Sequence, residues 1–297
     1  MTQTHITPQP ADDRKGTVVV SKYPNVRIHT YVSPPDGFLV NTHIVEGEAS
    51  LVLFDGQLLN ASAAEVAAYA SRLGKPVERI IVSHGHPDHW AGLEVLAARF
   101  PTASIFALPG VAEQIRTYGE TMLAGLRLAF GDLVAARPTI PTRTLTVGKQ
   151  TIAGVRFEFR ELVDTESDVQ LLALMPDQKV MLAFDLVFAP RDHVFTVAPH
   201  FDHWISILDN LKGIEGYDTI LIGHDLPTDQ SAYDATIAYV RKARECYAQA
   251  ASGTSYAEAL KAAFPDRLQP GWVDFSGRVL FNRPRPQAGQ EGKESYD

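Results

Sequence analysis

At 297 residues, 45% hydrophobic and 21% charged, the chain has the make-up of an ordinary globular protein and could hold one large domain or two small ones. Its formal net charge of −8 argues against a nucleic-acid partner, which needs a basic face for counterion release, and against an anionic membrane surface. The single cysteine, Cys246, lies in a helical pattern and allows no disulfide within one chain, which fits a reducing, cytoplasmic compartment.

The first 16 residues are polar and lack the apolar stretch of a signal peptide, and no apolar run approaches the ~20 residues of a membrane span. Residues 1–16 and the Pro- and Gly-rich stretch 284–297 are expected to be flexible, with a single domain over 17–283 between them. β-Branched, turn-bounded segments predict strands at Thr17–Val20, Val26–Val32, Phe38–Val45 and Ser50–Phe54. A helix over Ala61–Leu73 stops at Gly74, and a short apolar strand follows at Arg79–Ser83. A helix over about Trp90–Phe100, a strand at Ala103–Ala107 and a long helical stretch over Val111–Ala136, broken near Gly125 or Gly131, come next. Strands at Thr144–Val147, Val155–Val163, Val169–Met175 and Lys179–Ala183 precede a helix over His203–Lys212 and a strand at Thr219–Ile222. Helices over Ala232–Ala251 and Tyr256–Phe264 follow. Two strand-rich halves, each followed by helices, suggest an α+β chain built as a four-layer αββα sandwich with the sheets inside.

The sequence Ile80-Ile81-Val82-Ser83-His84-Gly85-His86-Pro87-Asp88-His89-Trp90 places three of the chain's ten histidines and an aspartate within six residues, directly after a strand. His84 and His86 are two apart, so a helix would point them apart, whereas a loop leaving a strand can turn both toward one ion. Asp88 and His89 can then face a second ion. Gly85 lets the chain turn and Pro87 fixes one φ angle. Imidazoles with a carboxylate suit zinc, with iron or manganese as less specific alternatives.

This H-x-H-x-D-H run resembles the signature of the metallo-β-lactamase-fold superfamily, whose members share the αββα sandwich, and the resemblance spans nearly the whole ordered chain. Asp55-Gly56-Gln57 resembles the family's early Asp-x-Gly turn, which supports the ligand loop from behind. The strand before Asp185 resembles the one carrying the metal-bridging aspartate, and Gly223-His224 resembles the late strand end that supplies a site-two histidine. The resemblance thus implies two divalent ions, zinc first with iron or manganese open, held by His84, His86, Asp88, His89, Asp185 and His224.

One element departs from the family. A further site-one histidine is expected between the loop and Asp185, but no histidine stands between His89 and His193. Aligned backward from Asp185, Asp164-Thr165 occupies the place of His-Thr, so the third ligand is taken as Asp164, with Glu166 as a substitute or no ligand at all. A carboxylate there would bind the ion tightly, make it a poorer Lewis acid and could favour iron or manganese.

With Asp at 185 and the only cysteine in a distant helix, the chain is unlike β-lactamases with a cysteine ligand and resembles the lactonase and glyoxalase-II-like thioesterase branches. The implied activity is hydrolysis of a small ester, lactone, thioester or amide by a metal-bound hydroxide, with Asp88 also moving the proton. Among His193, His200 and His203, which follow Asp185 beside Phe195, Phe201 and Trp204, His193 is the candidate proton donor. The partner is a small-molecule substrate. The aromatic segment Gly271–Asn282 could pack on the core or on a second copy, which leaves a homodimer open. The competing readings are a ligand-binding or regulatory protein with a degraded site, or a di-iron oxidoreductase, for which no flavin domain is present.

Overall fold

The computed structural model describes residues 15–214 and 216–282. The expectations of flexible ends therefore fall almost wholly outside the described residues. Two sheets stand face to face. The first runs β1 (Thr17–Tyr23), β2 (Val26–Val32), β3 (Asn41–Glu46), β4 (Leu51–Phe54), β5 (Val77–Val82), β6 (Ser104–Ala107) and β7 (Arg143–Thr144), in that spatial order. It is antiparallel from β1 to β4 and parallel from β4 to β7. The parallel steps are crossed by α1 (Asn60–Arg72), α2 (Leu93–Arg99) and α3 (Pro109–Phe130).

The second sheet is ordered β12 (Thr219–Ile222), β11 (Val180–Phe184), β10 (Val169–Met175), β9 (Val155–Val163) and β8 (Gly148–Ile152). Its β8 to β11 meander is antiparallel, and α4 (Phe201–Lys212) carries the parallel crossover to β12. Helices α5 (Ser231–Gln249), α6 (Gly253–Ala263) and α7 (Pro270–Asn282) complete the outer layer.

Side-chain alternation explains the layering. On β10, Leu171, Ala173 and Met175 join the core between the sheets and under α1–α3, whereas Leu172 and Leu174 join the core beneath α4–α7. On β11, Val180, Leu182 and Phe184 face the first core and Met181 and Ala183 the second. Both faces are apolar because both are covered, so these strands read as unbroken apolar runs. The αββα sandwich expected from the sequence is the observed fold.

Two local readings change and one resolves. Of the strand expected at Thr144–Val147 only Thr144 is in a strand, as the end of β7, because residues 145–147 carry the chain across to β8 in the other sheet. The long helix breaks at the second of its two expected positions, ending at Phe130 where Gly131 takes a left-handed φ of 57°. The aromatic segment near the C-terminus is helix α7, with Trp272, Val273 and Leu280 buried in the second core of the same chain. Among the described residues no helix is long and apolar enough to cross a membrane.

Candidate metal centre

The candidate ligands leave the carboxyl ends of parallel strand pairs, the end where α/β sheets gather binding groups. Asp55 follows β4, His84 to His89 follow β5, Asp185 follows β11 and His224 follows β12. The two sheets are joined there by main-chain bonds. Leu171 N donates to Ser83 O at 2.8 Å, and Asn41 N donates to Gly223 O at 2.7 Å. The edge is thus a seam that holds loops from both sheets in fixed register.

Donor atoms converge in three overlapping groups, His84 with His86 and Glu166, His84 with His89 and Asp185, and Asp88 with His89 and His224. In the first, His84 Nε2 lies 3.1 Å from His86 Nδ1, which lies 3.2 Å from Glu166 Oε2. In the third, Asp88 Oδ2 lies 3.6 Å from His89 Nε2 and 3.4 Å from His224 Nε2. Asp185 stands between them, with Oδ2 3.0 Å from His224 Nε2 and 3.9 Å from His84 Nε2, and Oδ1 3.3 Å from His89 Nε2. Donors each about 2.1 Å from one ion lie about 3.0–3.4 Å apart, so the spacing suits shared cations.

The donor set also leaves polar atoms open toward a cation. His89 Nε2, Asp185 Oδ1 and both Glu166 oxygens are buried with no hydrogen-bond partner. Unpartnered buried carboxylates cost several kcal/mol, about the desolvation penalty of an ion, unless a positive charge meets them. Burial, with the neighbouring charge of His89, pushes His84 well below the usual imidazole range. Burial would lower His89 too, yet Asp185, Asp88 and Asp55 around it raise its proton affinity well above the ordinary value. Burial raises the Glu166 carboxyl, against the pull of His86.

Groups behind the ligands fix their orientation. Asp55 accepts from Ser83 N and Ser83 Oγ, both at 2.8 Å, and from His89 Nδ1 at 2.9 Å. Because Ser83 Oγ donates to Asp55, it accepts from His84 Nδ1 at 2.9 Å, which leaves His84 Nε2 unprotonated toward the centre. His224 Nδ1 donates to Phe38 O at 2.8 Å, also freeing its Nε2. Phe38 and Leu39 hold left-handed φ values of 64° and 56°, a strained turn at the rim of the site.

Two glycines make room. A Cβ at Gly223 would lie 1.7 Å from Asp185 Oδ1, so the backbone approach there admits no side chain. Gly85 takes no left-handed φ; its missing side chain instead leaves space for Gln114 of α3, whose Oε1 would lie 2.1 Å from a Cβ.

Not every expected site residue joins the cluster. Asp164 is half exposed, at 54% of its side chain, and faces His200 Nε2 at 3.7 Å. The β9–β10 loop is closed by Asp164 N to Asp168 O at 3.1 Å, and its middle residues Thr165, Glu166 and Ser167 tuck inward with at most 1% exposure. The loop therefore carries Glu166, two residues on, into the position expected for Asp164. His193 is buried in the outer half, with Nδ1 2.8 Å from the Tyr239 hydroxyl, outside all three donor groups. Burial beside Arg267 and Lys261 pushes its imidazole down to about 4, so it stays neutral. His200 faces Asp164 and Asp168, and His203 is exposed on α4; neither joins the donor groups.

The sequence model of the metallo-beta-lactamase superfamily matches residues 35–224, and the chain belongs to that superfamily, whose members are mostly metallo-hydrolases. Its fold is similar to that of a metallo-beta-lactamase from Pontibacter korlensis, with a TM-score of 0.60 and 18% identity, covering 76% of this chain and 99% of that one. It is similar also to the FIM-1 metallo-beta-lactamase from Pseudomonas aeruginosa in its mono-zinc form, with a TM-score of 0.59 and 15% identity, over 79% of this chain and 98% of that one. The uncharacterized protein YobT of Bacillus subtilis (strain 168) is 37% identical over 71 residues, which make up 24% of this chain and 30% of that relative's length.

Proposed function

We propose that the chain is a dinuclear metal-dependent hydrolase of a small ester, lactone, thioester or amide. One observation carries this reading: two separate triads, His84-His86-Glu166 and Asp88-His89-His224, converge on either side of Asp185 with unpartnered donor atoms. Glu166, rather than Asp164, serves as the third ligand of the first position, and Asp185 is shared. Two divalent ions held there, zinc or a neighbour such as iron or manganese, supply Lewis-acid activation of water and of the substrate carbonyl.

The chain's own groups do the rest. Asp88 keeps 15% of its side chain open to solvent, so it can take up and pass on the proton released as water attacks, besides binding metal. His86, at 16%, marks the same open side. On the other side, the rings of Phe195, Trp272 and Phe188 lie 5.2, 5.1 and 5.9 Å from His224. These three are core rings that pack behind His224; the half-buried Phe38 and Phe130 continue from them toward solvent and suit the apolar part of an organic substrate.

The alternative of a binding protein with a degraded site draws on the absent third histidine, and Glu166 beside His84 and His86 favours the hydrolase reading over it. The test is a panel of aryl esters, lactones, thioesters and β-lactams with metal-loaded protein. Turnover of at least one class, lost in the His84→Ala/His86→Ala double variant, is expected. Turnover unchanged in that variant would refute a metal-borne reaction.

A further inference from the structure

The two donor triads are chemically alike. Each consists of two imidazoles and one carboxylate of its own, and each has Asp185 beside it, at 3.0 and 3.3 Å from His224 and His89 and at 3.9 Å from His84. A third imidazole at the first position would have made the pair unlike, one nitrogen-rich and one mixed. Glu166 turns the first position into the counterpart of the second, and three carboxylates then serve two ions.

Ligand softness and geometry, rather than raw affinity, govern which metal such a position takes. Two imidazoles and a carboxylate with an open position can hold catalytic zinc as well as iron(II), but exchanging an imidazole for a carboxylate oxygen moves a set toward the harder ions, iron(II) and manganese(II). Both Glu166 oxygens are buried, and the nearest cationic group is the His86 ring, 3.2 Å from Oε2 and itself a candidate ligand, so nothing outside the donor set holds the carboxylate away from an ion. The same group cannot be a surface carboxylate drawn in by chance, since the loop carrying it leaves its neighbours Asp164 and Asp168 outside, at 54% and 52% exposure.

Resting on the assignment of Glu166 as a ligand, we infer that the centre is matched for a pair of like, oxygen-preferring divalent ions, iron(II) or manganese(II), and that Glu166 sets this preference against zinc. The natural order of divalent affinities still favours zinc in absolute terms, so the preference is read as a ratio. Metal-free protein is equilibrated with buffered mixtures of zinc and manganese, and separately of zinc and iron(II) without oxygen. Bound metal is then counted by mass spectrometry for the wild type, Glu166→His and Glu166→Gln.

The wild type binds two ions per chain, and Glu166→His raises the zinc-to-manganese affinity ratio at one of its two equivalents at least about tenfold, leaving the other unchanged. A ratio that stays within about twofold, with two ions still bound, overturns the preference while leaving the metal centre standing. Wild-type protein that binds neither ion overturns the centre itself and the preference with it. Thermal unfolding of the metal-free variants checks that they fold. Should Glu166→His fail to fold, Glu166→Gln decides: manganese occupancy must fall more than zinc occupancy, and equal losses contradict the inference.

Discussion

Two buried groups of acidic and histidine side chains, one on the first sheet and one at the seam between the sheets, end differently. At the end of β3, Glu46 has both oxygens engaged, by Arg27 at 2.7 and 2.8 Å, Lys75 at 2.9 Å and His29 at 2.9 Å. Burial opposes its charge, but Arg27, Lys75 and His29 hold its carboxyl down at about 2. At the seam between the sheets, Asp88, Glu166 and Asp185 meet imidazoles, and four donor atoms there have no hydrogen-bond partner. Lysine and arginine carry a fixed charge and close a network by themselves. Imidazoles, unlike those fixed charges, can give up their protons, so the positive charge that meets the carboxylates at the seam can be handed over to a metal ion.

The contrast can be broken experimentally, most severely at Asp185. Asp185→Asn removes the shared charge, and hydrolysis should fall at least about 10²–10³-fold with loss of bound metal, measured by kinetics and metal analysis. One layer further out, Asp55→Asn leaves the ligands in place but frees Ser83 and His89. Metal affinity should weaken about 10–100-fold in a chelator competition.

Glu46→Gln should leave metal content untouched yet lower stability by about 2 kcal/mol in urea unfolding. Removing one partner of a buried pair is costly, but the half-exposed Arg27 is free to turn to water. The sign with pH follows from the depressed carboxyl. Its contribution is complete above the ordinary glutamate value of 4.5 and disappears as pH falls toward about 2. Wild-type stability should therefore decline over that window, and Glu46→Gln should flatten the decline. The smallest effect belongs to Asp164→Asn, which should change neither metal content nor turnover by more than about twofold.

The residues that make this contrast were unevenly legible in the sequence. The run from His84 to His89 declared itself because ligand spacing on a loop is local, whereas Asp185 and His224 were legible only through the family resemblance, to which their places at the ends of short apolar strands conform. The sandwich followed from the order of strands and helices. Glu166 was weighed only as a substitute for Asp164, since the sense in which a five-residue loop folds, middle inward and ends outward, depends on pairing between β9 and β10 that no local pattern encodes. His193 misled for the opposite reason: closeness in sequence to Asp185 does not survive the turn that sends it to Tyr239. Helix α7 escaped notice because aromatic and glycine residues mask its apolar stripe, which only the second core reveals.

The central claim is that the seam holds two ions through Glu166 and not Asp164. Metal stoichiometry of the wild type, Asp164→Asn and Glu166→Gln, each loaded with manganese and counted by mass spectrometry, tests it most directly. The account predicts two ions per chain for the first two proteins and one for Glu166→Gln. No bound metal in the wild type, or loss of an ion on changing Asp164 alone, would contradict it.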